Sequence, residues 1–181
     1  GLAAALVQGL GRDSWEFGDL HTSAADVVIL FTEKVPKVSG DLLGVDYDLV
    51  LGGLFRAHSS DFKLQGKLLH IVKNLLVGSD ARARLLAGKK KLLGAVLDCL
   101  LRSPRASHLQ NRGSLCLHLL LKQDTASVTV AELGLVSDLK RHLQLLPKTF
   151  AGPEYFSIQS SASAALACLR DARPVEGEGI Q

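Results

Sequence analysis

The stretch Lys67–Gly88, KLLHIVKNLLVGSDARARLLAG, decides how this chain folds. Its apolar residues Leu68, Leu69, Val72, Leu75 and Leu76 recur at helical spacing, so they line one face of an amphipathic helix. Gly78 then stops that helix, and Ser79-Asp80 supplies the side-chain acceptor that starts a new one. A second, shorter helix over Ala81–Ala87 ends at Gly88, and a third apolar stretch follows through Leu92, Leu93 and Leu97. Such short helices cannot bury their apolar stripes alone. They need neighbours that stack on them and build one shared core.

The rest of the chain follows the same rule. Strong helical periodicity covers about Thr22–Lys34, Asp61–Val77, Ala106–Lys122 and Ser157–Asp171. Shorter helical stretches are expected over Tyr47–Ala57, Lys89–Arg102, Val130–Leu133 and Ser137–Leu146, with Thr129 and Glu132 at capping-box spacing. Pro36, Gly40, Pro104, Pro147 and Gly152-Pro153 are read as punctuation between them. The apolar content is aliphatic, with 36 leucines against 6 Phe, 2 Tyr, 1 Trp and no Met, and no run alternates as a strand would. The expectation is all-α. The longest apolar run, Leu115–Leu121, is interrupted by His118 and falls far short of the roughly 20 residues of a membrane span.

The chain also matches itself. Sliding it by 48 residues lays Leu69-His70-Ile71-Val72 on Leu117-His118-Leu119-Leu120, Ser79 on Ser127, Ala83 on Ala131 and Leu85 on Leu133. Further copies around Val28–Phe31 and Ala165-Leu166 give three to four imperfect units about 42 to 48 residues apart. With its Asn-Leu pair at Asn74-Leu75, polar turn, short helix, Gly88 and apolar helix, the opening stretch resembles the armadillo repeat, and HEAT-like repeats have similar helix lengths. The resemblance implies a right-handed alpha-solenoid across residues 1–172, its first 20 or so residues an N-terminal cap. Residues 173–181, rich in Gly and Glu, are expected to be a disordered tail.

In armadillo proteins that hold extended peptides, an Asn on each long helix bonds the peptide backbone. Asn74 resembles that residue, but the matching positions hold Lys122 and Thr32 or Glu33, so no Asn ladder runs through this chain. A bond from Asn74 within its own turn is the simpler expectation. His70 and His118 match in the 48-residue register, yet stacked units set them on the order of 10 Å apart, too far for one metal ion at about 2 Å per ligand. No metal or cofactor is expected. Cys99, Cys116 and Cys168 are odd in number and set in Leu-rich helices, where a thiol acts as a small apolar group, which favours a reducing intracellular compartment, cytoplasm or nucleus.

Net charge is +3, but its distribution says more. Arg82, Arg84, Lys89, Lys90, Lys91, Arg102, Arg105 and Arg112 fall within one stretch where Asp98 and the flanking Asp80 are the acids. Gathered on one edge, they would form a basic patch for an acidic or helical protein segment, or for nucleic-acid phosphates. Without interleaved aromatics for base stacking, protein is the favoured partner. Trp15 and Phe17 are expected to cap the end of the stack or anchor a partner, and Phe150, Tyr155 and Phe156 to pack the loop before the last helix. The Ser/Ala-rich run Ser160–Ala167 permits close helix approach or self-association as a homodimer. No G-x-S-x-G, phosphate loop, H-E-x-x-H or C-x-x-C is present, and Asp46 and Asp48 read as a cap on the helix starting near Tyr47. The sequence therefore points to a scaffold or adaptor rather than an enzyme. A nucleic-acid-associated module and a self-association domain stand as the alternatives.

Overall fold

The computed structural model describes residues 18–44 and 46–171, with Ala5 alone before them. Within these residues every regular element is helical: α1 Gly18–Lys34, α2 Pro36–Leu43, α3 Tyr47–Ala57, α4 Phe62–Leu76, α5 Asp80–Ala87, α6 Lys90–Arg102, α7 Ser107–Leu121, α8 Asp124–Glu132, α9 Val136–Thr149 and α10 Phe156–Asp171, the last preceded by a single 3₁₀ turn at Pro153–Tyr155. No helix among the described residues is long and apolar enough to cross a membrane.

Local chemistry explains most boundaries. The Asp61 carboxylate accepts the Leu64 N–H at 2.9 Å and opens α4, and the Ser79 hydroxyl oxygen accepts the Arg82 N–H to open α5. Gly78 takes φ +79 between them, a conformation that costs glycine little. Three elements depart from the sequence expectation. Pro36 opens a helix, α2, that the sequence did not lead one to expect; its missing N–H would have had no intrahelical partner there, and Gly40, read as punctuation, lies inside that helix. Thr129 opens no helix: it sits within α8, which starts at Asp124, and its hydroxyl reaches the Ala87 and Thr125 carbonyls. Pro147 lies inside α9, close enough to the C-terminus that the helix runs two residues further.

The four long helices lie side by side in chain order, α1 on α4, α4 on α7 and α7 on α10. A second row is formed by α3 and α6, with α9 packed beside α6 and across α10, and the short α2, α5 and α8 join the two rows. One apolar cluster runs through all of them from Ala25 to Leu169, dominated by leucines such as Leu51, Leu68, Leu97, Leu117 and Leu143. Burying each such side chain is worth about 1.5–3 kcal/mol, so the shared core is what holds helices too short to persist alone. Cys116 is fully inside it, with Sγ 3.6 Å from the Leu69 carbonyl oxygen, and desolvation pushes its thiol up to about 12. Cys99 is pushed to about 11 by the same cause, opposed by the charge of Arg102. Both thiols stay protonated at neutral pH and act as packing groups.

A local arrangement recurs along the chain. The fourth residue of α4, α7 and α10 is Gln65, Gln110 and Gln159 respectively, and each carboxamide nitrogen donates two bonds back across the preceding turn. Gln65 reaches the carbonyls of Phe55 and His58, both at 2.9 Å; Gln110 reaches those of Leu100 (3.0 Å) and Ser103 (2.9 Å); Gln159 reaches those of Phe150 (2.6 Å) and Gly152 (3.2 Å). Each long helix is thereby clamped to the end of the element before it. Gln65 and Gln110 lie 45 residues apart, not 48, so the counterpart of His70 is Leu115 and His118 corresponds to Lys73. The 48-residue self-match slides α7 by three positions, almost one helical turn, which superimposes apolar stripes without aligning the clamps.

Candidate interaction site

The eight basic residues singled out above do not form one patch. Arg82 points back along its own turn, with Nε on the Leu75 carbonyl (2.7 Å) and Nη2 on that of Val77 (2.9 Å), so it caps the C-terminus of α4. Lys89 lies 3.4 Å from the buried Asp48 carboxylate, and Lys90 pairs with Glu132 of α8 at 2.7 Å. Lys91 is exposed beside them in a small hollow of about 260 Å³ over Leu49 and Gly88. Arg102, 12 residues further along α6 than Lys90, pairs with Asp98 at 2.7 Å and donates to the Ser59 carbonyl at 3.1 Å. A helix of that length sets the two groups on the order of 18 Å apart. Arg84 and Arg105 are exposed without an ion pair among the described residues. Arg112 alone turns to the row of long helices. Helical geometry scatters what the sequence holds together, because residues two apart face different directions.

Asn74 makes no bond within its own turn. Its Nδ2 donates to Thr32 Oγ1 of α1 at 3.0 Å, and the Thr32 hydroxyl donates in turn to the Val28 carbonyl. Asn74 thus ties α4 to α1, and its amide N–H group is spent inside the protein. His70, one turn earlier, has Nε2 2.8 Å from Glu33 Oε1 of the same neighbour. Desolvation, then the charges of Lys73 and Arg112, hold His70 below the ordinary histidine range, with Glu33 opposing them. His118 is lowered too, by burial and the charge of Lys122. No cluster of three or more His, Cys, Asp or Glu able to hold a metal ion is found among the described residues.

Trp15 and Phe17 lie outside the described residues, as do residues 173–181. Leu20 is half-exposed, whereas His21 is buried and its Nδ1 stands 2.9 Å from His58 Nε2 of the α3–α4 turn. In the loop before α10, Phe150 and Tyr155 stack with ring centroids 5.2 Å apart, while Phe156 is 71% exposed. Ala162 and Ala165 of the small-residue run are buried where α10 lies along α7; Ser160 and Ala167 face outward.

A groove of about 510 Å³ lies between α1, α4 and α7. Asp26 and Ile29 of α1 form one wall, Phe62, Lys63, Lys67 and His70 of α4 the floor, and His108 and Arg112 of α7 the other wall. Gly66 makes the second wall close: a Cβ there would lie 3.3 Å from both Arg112 Nη1 and the His108 ring, and Arg112 Nη1 donates to the Gly66 carbonyl at 3.1 Å. His108 Nε2 stands 3.3 Å from the Phe62 carbonyl oxygen. Lys67 is spent on Asp26 and the Thr22 carbonyl. Lys63 has no ion pair among the described residues, and Phe62 is half-exposed. A smaller hollow of about 160 Å³ continues past His108 toward α10, bounded by Asn111, Glu154 and Tyr155.

Of this group the sequence assigned only Arg112 to a binding surface, and singled out His70 solely in excluding a shared metal site. The signal was present in the spacing Lys63, Lys67, His70, Asn74, a single stripe at helical intervals, but it was masked by the denser run of basic residues downstream. Comparison of the chain with protein-family models, with curated proteins and with solved structures finds no match.

Proposed function

We propose that this chain is a non-catalytic protein-interaction scaffold, built as an armadillo-like right-handed solenoid whose row of long helices presents the partner-binding face. Three units, α2–α3–α4, α5–α6–α7 and α8–α9–α10, follow a long helix α1 that plays the part of the last helix of a fourth. The recurring glutamine clamp at the fourth position of α4, α7 and α10 supports reading these as units of one plan. The functional reading rests on one observation above all. The groove between α1, α4 and α7 combines a half-exposed Phe62 with cations held in fixed positions, the mixture of apolar anchor and oriented charge that protein interfaces use.

The basic stretch Arg82–Arg112 offers less to nucleic acid than its sequence suggested, because Lys89, Lys90 and Arg102 are paired with acids and Arg82 is turned onto the Leu75 and Val77 carbonyls. A photo-crosslinking amino acid placed at Phe62 tests the reading, with one at the equally exposed Leu145 of α9 as control. A discrete protein adduct in cell extract is expected from position 62 and not from 145. The reverse pattern refutes the assignment of the face.

A further inference from the structure

We infer that the α1–α4–α7 groove takes an acidic, extended segment of a protein partner that carries an apolar side chain among its carboxylates; this rests on the reading of the long-helix face as the binding face. The charge balance on the groove decides the sign of the ligand. Of its three permanent cations, Lys67 is answered by Asp26, which leaves Lys63 and Arg112 unanswered. Lys63 follows Phe62 in the first turn of α4, and Arg112 reaches the same groove from α7, one turn further along at Gly66.

Arg112 is already oriented. One guanidinium N–H is fixed on the Gly66 carbonyl, and the remaining donors of its fork have no acceptor among the described residues. A carboxylate meets this group without the entropy cost of ordering a free arginine. Its charge is felt at His70, whose pKa it helps to lower. Phe62 and the half-buried Ile29 provide the apolar contact in the same groove. Glu154 beyond His108 closes the groove to acidic residues, so the complementary segment is short, on the order of four to six residues at about 3.3 Å each.

A fluorescein-labelled peptide, Gly-Ser-Glu-Glu-Leu-Glu-Glu-Ser-Gly, serves as probe in fluorescence anisotropy, beside its lysine counterpart with Lys for every Glu and a twelve-nucleotide oligothymidine. The full chain is expected to bind the glutamate peptide and not the lysine one. Lys63→Glu and Arg112→Glu should each weaken binding about tenfold or more, the effect of losing a charged hydrogen bond. The double variant should gain affinity for the lysine peptide. Lys91→Glu, outside the groove, should change nothing. Lys63 is exposed and makes no internal bond, so its variant reads the site even if Arg112→Glu perturbs the fold. No binding of the glutamate peptide, equal losses from Lys91→Glu, or tighter binding of the oligothymidine overturns the inference. If crosslinking at Phe62 persists while the glutamate peptide fails, the ligand class falls and the face stands; if crosslinking fails as well, both fall.

Discussion

Replacing Gln110 by leucine is the sharpest test of how the units are held together. Gln110 is completely buried, and its carboxamide is used at every atom: two N–H groups go to Leu100 and Ser103, and Oε1 lies 2.9 Å from His142 Nε2 of α9. Because both amide hydrogens are committed to carbonyls, the imidazole must be the donor in that contact, so His142 carries its proton on Nε2. Leucine keeps most of the volume and removes all three bonds. The two lost N–H···O bonds cost about 0.5–1.5 kcal/mol each, and the stranded, buried imidazole N–H a further 1–3 kcal/mol or so. The sum is about 3–4 kcal/mol, near the lower end of the whole stability of an ordinary domain.

The other two clamps are built-in controls. Gln65 makes the same pair of bonds, but its Oε1 has no hydrogen-bond partner, and the position matching His142 on α6 is the apolar Val96; Gln65→Leu should cost about 2 kcal/mol. Gln159 is half-buried and should cost about 1 kcal/mol. Urea denaturation with an unchanged slope gives the three values directly. A double-mutant cycle of Gln110→Leu with His142→Leu should return a coupling of about 1 kcal/mol or more. An order other than 110, then 65, then 159, or a coupling indistinguishable from zero, refutes the clamp argument.

Four further outcomes are expected. Stability should fall as pH drops from about 7.5 to 5.5: His21, His70, His118 and His142 are all held below 6.5 by desolvation, so the unfolded chain takes up protons first, and a flat profile in urea melts would contradict this. Gly113→Ala should destabilise by about 1–3 kcal/mol despite its gain in helix propensity, since a Cβ there would meet Leu100 Cδ2 at 2.2 Å, whereas Gly40→Ala, with open space around it in α2, should stabilise by about 0.5–1 kcal/mol; thermal melts showing the same sign for both would be decisive against the packing. Arg82→Ala should lower the unfolding free energy in urea melts by about 1–2 kcal/mol without altering partner capture, because its bonds close the end of α4. Asn74→Ala and Thr32→Ala should be less than additive, and full additivity would deny the link between α4 and α1.

The helices themselves were readable in the chain because their signals are local. Asp61, Ser79, Gly78 and Gly88 act within one turn, and the Leu stripes repeat within a helix, so each boundary is written where it occurs. The short helix α2 went unread because Pro36 can stop a helix or begin one and Gly40 weakens the helical signal in its middle, and only the packing of α2 against α1 decides the matter. Charge was less readable still. Whether Lys90 is free depends on Glu132, 42 residues away and brought near by the stacking of α6 beside α8, and no property of Lys89-Lys90-Lys91 foretells it.

Register shows why polar residues report architecture better than apolar ones here. With 36 leucines, a helix can be slid by almost a turn against another and still superimpose apolar on apolar, so the 48-residue match scores well while aligning His70 with the wrong residue. A carboxamide has no such tolerance. Gln65 and Gln110 must each place two N–H groups on two particular carbonyls at the end of the preceding helix, and a shift of three residues would leave all of them unpaired in the core. Hydrogen bonding therefore fixes each glutamine seven residues beyond an accepting carbonyl, while the spacing between clamps varies, 45 residues from Gln65 to Gln110 and 49 from Gln110 to Gln159. It follows that a search for related units should weight a buried glutamine at the fourth position of a long helix above any leucine pattern. Inserting or deleting a single residue in the α6–α7 turn, between Ser103 and Ala106, should cost more than the same change in the turn at Gly134, which no clamp spans.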